Sequence, residues 1–307
     1  MKILITTSSF GDYDKTPLGL LNNEGFEVAL NPFKKTLTKE QAIQLYADAD
    51  AVIAGTETID HDVLSAAKKL KVISRCGSGI DNVDREFAAQ KGIKLLATLD
   101  APVIAVAELT IGLIISLLRK IPNSDRQIRA GNWKKDMGNL LFNKTVGILG
   151  MGRIGKKTAL LLQCLGAKII YFDPYLKNEI KEYKRCSSLE EILGSADILC
   201  LHLSFNQENK NIIGRKELAM MKKSALLINA SRGGLIDEKA LFAALSNREL
   251  AGAALDVFEK EPYSGDLAKL DNVVLTAHIG SYAQESRVAM EIEAAENLIK
   301  ALKENSS

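Results

Sequence analysis

The sequence predicts an α/β protein of two doubly wound parallel-sheet domains, and three observations predict it. Its 307 residues exceed what one hydrophobic core comfortably holds, so a chain of this length divides in two. Short β-branched runs alternate with helix-length segments from the first residue, as strands buried on both faces and joined by helical crossovers must. The alternation stops at an apolar stretch over 101–118 and restarts near residue 145, which marks a second sheet.

Runs at 2–6, 27–30, 51–54, 71–74 and 94–97 read as the five strands of the first domain. The stretch 101–118 nearly has the length of a membrane span. It nevertheless contains Pro102 and a central Glu108 and lacks flanking anchors, so a helix buried at a domain or subunit interface is expected instead. Runs at 145–149, 168–172, 198–201, 225–229, 251–257 and 273–277 read as a second sheet of six strands. Ser188 with Glu191 three positions on reads as a capping box, and Asp237 opens the amphipathic run 238–245. A final helix over 283–303 has no strand after it, and the pattern leaves open which sheet it joins.

Composition narrows the function. The 40 Lys and Arg against 38 Asp and Glu give a net charge of +2, and no basic run exceeds two residues. Neither a nucleic acid nor an anionic membrane is an expected partner of so balanced a surface. Cys76, Cys164, Cys186 and Cys200 form no C-x-x-C pair, which argues against a disulfide framework and a structural zinc site; no metal is expected, and a reducing cytoplasm fits. The opening apolar run is too short for a secretion signal.

Gly150-Met151-Gly152-Arg153-Ile154-Gly155 directly follows one strand and opens the helical pattern 156–165. Alone, G-x-G-x-x-G is as often a plain tight turn. In this context the first glycine allows the turn, the second lets backbone approach a pyrophosphate, and the third lets helix pack on strand. Asp173 ends the next strand, 23 residues after Gly150, where a dinucleotide fold places the acceptor for ribose hydroxyls. That carboxylate repels a 2′-phosphate, which favours NAD over NADP; the plainer reading is a turn residue before Pro174.

Ligands of open parallel sheets bind beyond the carboxyl ends of the strands, and four ionisable residues stand at such ends: Arg232, Asp256, Glu261 and His278. A carbonyl that receives a hydride needs a proton donor, and histidine suits that task near neutral pH. An adjacent carboxylate would hold the imidazole, and a guanidinium would grip a substrate carboxylate at two points. The plainer readings are a packing histidine and an arginine that satisfies loop carbonyls. His61, between Asp60 and Asp62, reads as an exposed helix-start residue, and His202 as a strand-end residue lining the cofactor.

With these segments the chain resembles the D-isomer-specific 2-hydroxyacid dehydrogenases, and within them the phosphoglycerate dehydrogenase branch. The likeness runs through 74–84 (Ser-Arg-Cys-Gly-Ser-Gly-Ile-Asp-Asn-Val-Asp), the glycine loop, Asn229 to Gly234, Asp256 to Pro262, and His278-Ile279-Gly280-Ser281. The resemblance implies Arg232, Glu261 and His278 as catalytic residues. It implies cofactor contacts from Gly150, Gly152, Arg153, Ile154, Gly155, Asp173, His202, Ala230, Ser231, Arg232, Asp256, His278 and Ser281, with NAD as cofactor. Substrate contacts are implied for Gly77, Ser78, Gly79, Arg232 and His278, and Lys134 or Lys135 would reach a substrate phosphate.

It further implies a flavodoxin-like substrate domain from residues 1–99 and 283–307, a Rossmann-type NAD domain over 100–282, a cleft between them, and a homodimer. A small 2-hydroxy or 2-keto acid is the implied substrate, 3-phosphoglycerate first. Two departures stand out: Ser204 where the family usually has proline, and Gly55-Thr56 where some phosphoglycerate-specific members carry arginine. An end at Ser307 leaves no room for a C-terminal regulatory domain, so serine feedback is not expected. A dinucleotide-sensing regulator on the same fold is the alternative reading.

Overall fold

A computed structural model describes residues 1–304, which divide into two compact units: one from Met1–Pro102 together with the chain from Ser281 onward, the other Val103–Gly280. The first unit contains β1 (Lys2–Ile5), α1 (Thr16–Asn23), β2 (Glu27–Leu30), α2 (Lys39–Tyr46), β3 (Ala51–Ala54), α3 (His61–Ala66), β4 (Val72–Arg75), α4 (Arg85–Gln90) and β5 (Lys94–Ala97). Its strands form one parallel sheet in the order β2-β1-β3-β4-β5, so the winding reverses between β1 and β3. Asp60 and Asp84 cap α3 and α4 by accepting first-turn N–H groups, and Thr38 and Gln41 form a reciprocal capping box on α2.

The second unit contains α5 (Val103–Leu118), α6 (Ile121–Arg129), β6 (Thr145–Leu149), α7 (Arg153–Cys164), β7 (Lys168–Phe172), β8 (Lys184–Arg185), α8 (Leu189–Ser195), β9 (Ile198–Leu201), α9 (Arg215–Met220), β10 (Leu226–Asn229), α10 (Glu238–Ser246), β11 (Gly252–Leu255) and β12 (Val273–Leu275). The sheet is parallel in the order β12-β11-β10-β9-β6-β7-β8. It therefore has seven strands where six were expected. The extra one, β8, is two residues long, too short for any hydrophobic period to reveal.

Two local features differ from expectation. Helix α7 begins at Arg153, not at 156, because the end of the glycine motif already turns as helix. Ser188 accepts from the Glu191 N–H, but Glu191 turns its carboxylate to the N–H and hydroxyl of Ser187, so only half of the capping box forms. The apolar helix α5 buries Leu113, Ile114 and Leu118 in the core between α7 and the sheet of its own unit.

The last helix, α11 (Gln284–Glu304), belongs to the first unit. Met290, Ala294, Ala295 and Leu298 pack with Ile3, Ile53 and Val72 of the sheet, and the Ser74 hydroxyl donates to the Ala294 carbonyl at 2.8 Å. The two adjacent alanines keep side-chain bulk off the helix face next to β4, which permits that backbone approach.

Candidate active site

Beyond β6 the chain turns at Gly150 with φ +96°, where a side chain would place Cβ 2.5 Å from the His202 carbonyl oxygen. A Cβ on Gly155 would lie 2.1 Å from the Gly150 carbonyl oxygen, so the third glycine is what lets α7 pack against the turn. A Cβ on Gly152 would meet nothing within 4 Å. This middle glycine lies at the N-terminus of a 12-residue helix, with Arg153 exposed and Ile154 half-buried in the first turn. Open space, first-turn N–H groups and the positive end of the helix dipole together fit a pyrophosphate.

Asp173 directly follows β7. One carboxylate oxygen accepts from the Met151 N–H in the glycine turn at 2.8 Å, and the other from the Tyr175 N–H at 2.9 Å. The turn reading of Asp173 thus holds. It leaves the ribose reading intact, since each oxygen has a second lone pair. Arg185 of β8 donates to the Asp173 carbonyl at 3.0 Å, an unexpected basic neighbour. His202, just past β9, has both ring nitrogens buried without a hydrogen-bond partner, and burial lowers its imidazole to about 4. A neutral ring with unused polar atoms beside the glycine turn suits a ligand that brings its own donor or acceptor.

The chemical groups stand on neighbouring strand ends. Past β10 the buried Asn229 side chain organises the loop: its Oδ1 accepts from the Ser231 N–H at 3.0 Å and hydroxyl at 2.8 Å, and its Nδ2 donates to the Arg232 carbonyl at 2.8 Å. Ala230 is buried within this turn, and Arg232 donates to the Ser231 carbonyl at 2.7 Å. Asn229 was not singled out from sequence. Its signal was present in an Asn at a strand end followed by Ser, the signature of a side-chain-closed turn. A Cβ on Gly233 would fall 1.9 Å from the Phe258 carbonyl oxygen, so this loop presses directly on the one that follows β11.

Asp256, past β11, is 1% exposed. Its carboxylate accepts from the Thr276 hydroxyl at 2.6 Å and from the Ile279 and Gly280 N–H groups at 2.8 Å each, while its carbonyl accepts from the His278 N–H at 2.8 Å. Asp256, for which the resemblance implies a cofactor contact, also folds the turn that carries His278. That turn holds His278 at φ +53°, a left-handed conformation that a non-glycine residue keeps only when its surroundings compel it.

Glu261 accepts from the Phe258 N–H at 3.1 Å through one oxygen, and its other oxygen lies 2.9 Å from His278 Nδ1. Burial raises the Glu261 carboxyl. The His278 hydrogen bond and charge, the Phe258 N–H and the charge of Arg232 outweigh that effect, so the group titrates below its ordinary value. Glu261 and His278 therefore form one pair, with the imidazole side chain 46% exposed and Nε2 on the far side of the ring from the paired nitrogen. Ser281 falls on the other side of the unit boundary.

In the first unit, the Gly77 N–H is committed to the Thr98 hydroxyl at 2.8 Å, so the expected backbone donors of that turn reduce to Ser78 and Gly79. Gly55 lies against the buried Glu57, which accepts from the hydroxyls of Thr6 and, at 2.7 Å, Tyr46. His61 is exposed at the start of α3. Among the described residues, no helix is long and apolar enough to cross a membrane, and no group of three His, Cys, Asp or Glu is placed to hold a metal ion.

Residues 111–280 match the family described as D-isomer specific 2-hydroxyacid dehydrogenase, NAD binding domain. The D-3-phosphoglycerate dehydrogenase of Methanocaldococcus jannaschii is 40% identical over 274 residues, covering 87% of this chain and 52% of the relative. The chain spans about half the length of the first curated relatives it matches. The hydroxypyruvate reductase of Thermotoga maritima is 35% identical over 298 residues and is matched along 95% of both chains. Among solved structures, the TT0316 protein from Thermus thermophilus superposes with a TM-score of 0.90 at 34% identity, covering 99% of this chain and 97% of that one.

Proposed function

The chain belongs to the D-isomer-specific 2-hydroxyacid dehydrogenase family, and from that premise we propose that it interconverts a small D-2-hydroxy acid and its 2-keto acid. NAD, when bound, supplies the hydride acceptor or donor. The observation that carries the proposal is the 2.9 Å contact between Glu261 and His278 Nδ1 at the strand edge that also holds the glycine turn.

With Nδ1–H held by the carboxylate, His278 presents Nε2 as the atom that gives a proton to the keto oxygen in reduction and takes it back in oxidation. Glu261 fixes the ring orientation and stabilises the charge that arises on it. Arg232 offers two parallel donors to the substrate carboxylate and polarises the neighbouring carbonyl. Asp173 accepts from the ribose hydroxyls, the first turn of α7 donates to the pyrophosphate, and His202, Ala230 and Ser231 line the same edge. In the first unit, Ser78 and Gly79 are read as backbone donors to an anion.

The first substrates to compare are 3-phosphoglycerate and D-glycerate. The M. jannaschii relative supports the former. The latter, the reduced form of hydroxypyruvate, is supported by the T. maritima relative, matched along 95% of both chains, and by Gly55-Thr56 standing where some phosphoglycerate-specific members carry arginine. We also read the chain as a homodimer, because Trp133, Met137, Leu140 and Phe142 expose large apolar side chains along one segment of the second unit. Reduction of 3-phosphohydroxypyruvate, hydroxypyruvate and glyoxylate, each with NADH and NADPH, tests the activity. Turnover of none of them, with NADH binding intact, would favour the regulator reading over the enzyme.

A further inference from the structure

The turn that carries Glu261 is gripped from outside by a residue of another element. Glu238, the first residue of α10, is half-buried, and its carboxylate accepts from the Glu259 N–H at 2.7 Å. Immediately before Glu259, the Phe258 N–H is held by Glu261 itself at 3.1 Å. Two consecutive N–H groups of this turn therefore point at two different carboxylates, one belonging to the catalytic pair and the other anchored on the rigid start of a helix.

We propose that Glu238 is a positioning residue for the Glu261–His278 pair, acting through the Phe258–Glu261 turn. Two further contacts make the turn dependent on outside support. Gly233, on the loop that also carries Arg232, has no room for a Cβ against the Phe258 carbonyl, so the turn meets backbone there as well as the Glu238 carboxylate. The Phe258 and Tyr263 rings stack with centroids 4.1 Å apart on either side of residues 259–261 in the chain, which are themselves exposed, while the Glu259 N–H and the Glu261 carboxylate make polar contacts.

The arrangement also carries a tension. Burial raises the Glu238 carboxyl; the hydrogen bond from the Glu259 N–H opposes this, and the nearby charges of Glu259 and Glu261 add to it, so the group titrates above its ordinary value. A glutamate repelled by its neighbours is explained here by what it holds, because its oxygen closes a backbone donor that sits between a pressed loop and the catalytic carboxylate. A glutamine would keep the acceptor and remove the repulsion. An alanine would release the turn.

This inference rests on the proposed dehydrogenase reading, and its test separates the two. In Glu238→Ala, kcat for keto-acid reduction should fall at least tenfold, within the roughly hundredfold cost of a misplacement on the order of 1 Å, while NADH affinity stays within about twofold. Hydrogen exchange of the Phe258 and Glu259 amides should accelerate in the same variant without substrate or cofactor. Glu238→Gln should restore both kcat and exchange protection, and it serves as the readable variant if the alanine form does not fold. Unchanged kcat and exchange in Glu238→Ala, or a glutamine variant as impaired as the alanine one, overturns the proposal. Wild-type protein that turns over no keto acid, yet shows the exchange difference, refutes the enzyme reading and leaves the positioning contact standing.

Discussion

The glycine turn separates stability from binding, because its middle and last glycines face opposite surroundings. In Gly155→Ala the new Cβ would sit 2.1 Å from the Gly150 carbonyl oxygen. That is well over 1 Å short of a normal carbon–oxygen contact, and the atom it meets is backbone, so α7 must shift away from the turn. Overpacking of this kind costs about 1–3 kcal/mol. In Gly152→Ala the Cβ meets nothing within 4 Å, and the residue has φ −71° and ψ −162°, which alanine adopts freely.

The lost chain entropy of glycine favours that second variant by about 0.4–1 kcal/mol, and the poorer N-cap opposes it by a few tenths or more, so its net stability change should stay within about 0.5 kcal/mol. The substitution nevertheless adds bulk at the N-cap of α7, beside the first-turn N–H groups proposed to meet the pyrophosphate, and NADH affinity should fall at least tenfold, or about 1.4 kcal/mol. Urea unfolding followed by circular dichroism gives the first quantity, and NADH fluorescence titration the second. Gly152→Ala with wild-type affinity, or Gly155→Ala with wild-type stability, would refute the division of labour within the motif.

Three further outcomes are expected. His278→Gln should lower turnover in both directions by roughly 100- to 10,000-fold with little change in NADH affinity; near-normal turnover would place the acid elsewhere. Asp173→Asn should raise the NADPH-to-NADH affinity ratio at least tenfold by removing the charge that repels a 2′-phosphate, and an unchanged ratio in fluorescence titrations would show that Asp173 does not select the cofactor. The lowered carboxyl of Glu261 stabilises the fold above its ordinary value of 4.5, and that contribution is lost as pH falls through the lower folded value. The unfolding free energies of wild type and Glu261→Gln should therefore converge on acidification through that window, and urea curves that stay parallel from neutral pH downward would contradict the pairing.

Much of the architecture was legible because parallel strands buried on both faces must be apolar, β-branched and separated by crossovers, a pattern independent of distant contacts. The strand-end positions of Arg232, Glu261 and His278 were equally legible, since an open sheet collects such residues along one edge. The two-residue β8 escaped notice because its pairing with Ile170 and Tyr171 lies in the backbone, not in side-chain pattern. Arg185 on that strand was missed with it.

By itself, then, the sequence determined two parallel sheets, a strand–glycine-turn–helix unit and the chemical types available at the strand ends. Tertiary structure decided which donors each carboxylate meets. Asp256 folds the His278 turn, Glu261 pairs with the imidazole, Asp173 ties the glycine turn, and Glu238 holds the backbone beside Glu261. It also placed the last helix in the first unit, which the hydrophobic pattern left open and the family resemblance implied. The physical reason is common to all of these: hydrophobic periodicity is a local property of the chain, whereas a carboxylate's role is set by the donors that folding brings within about 3 Å of it, often from residues far away in sequence.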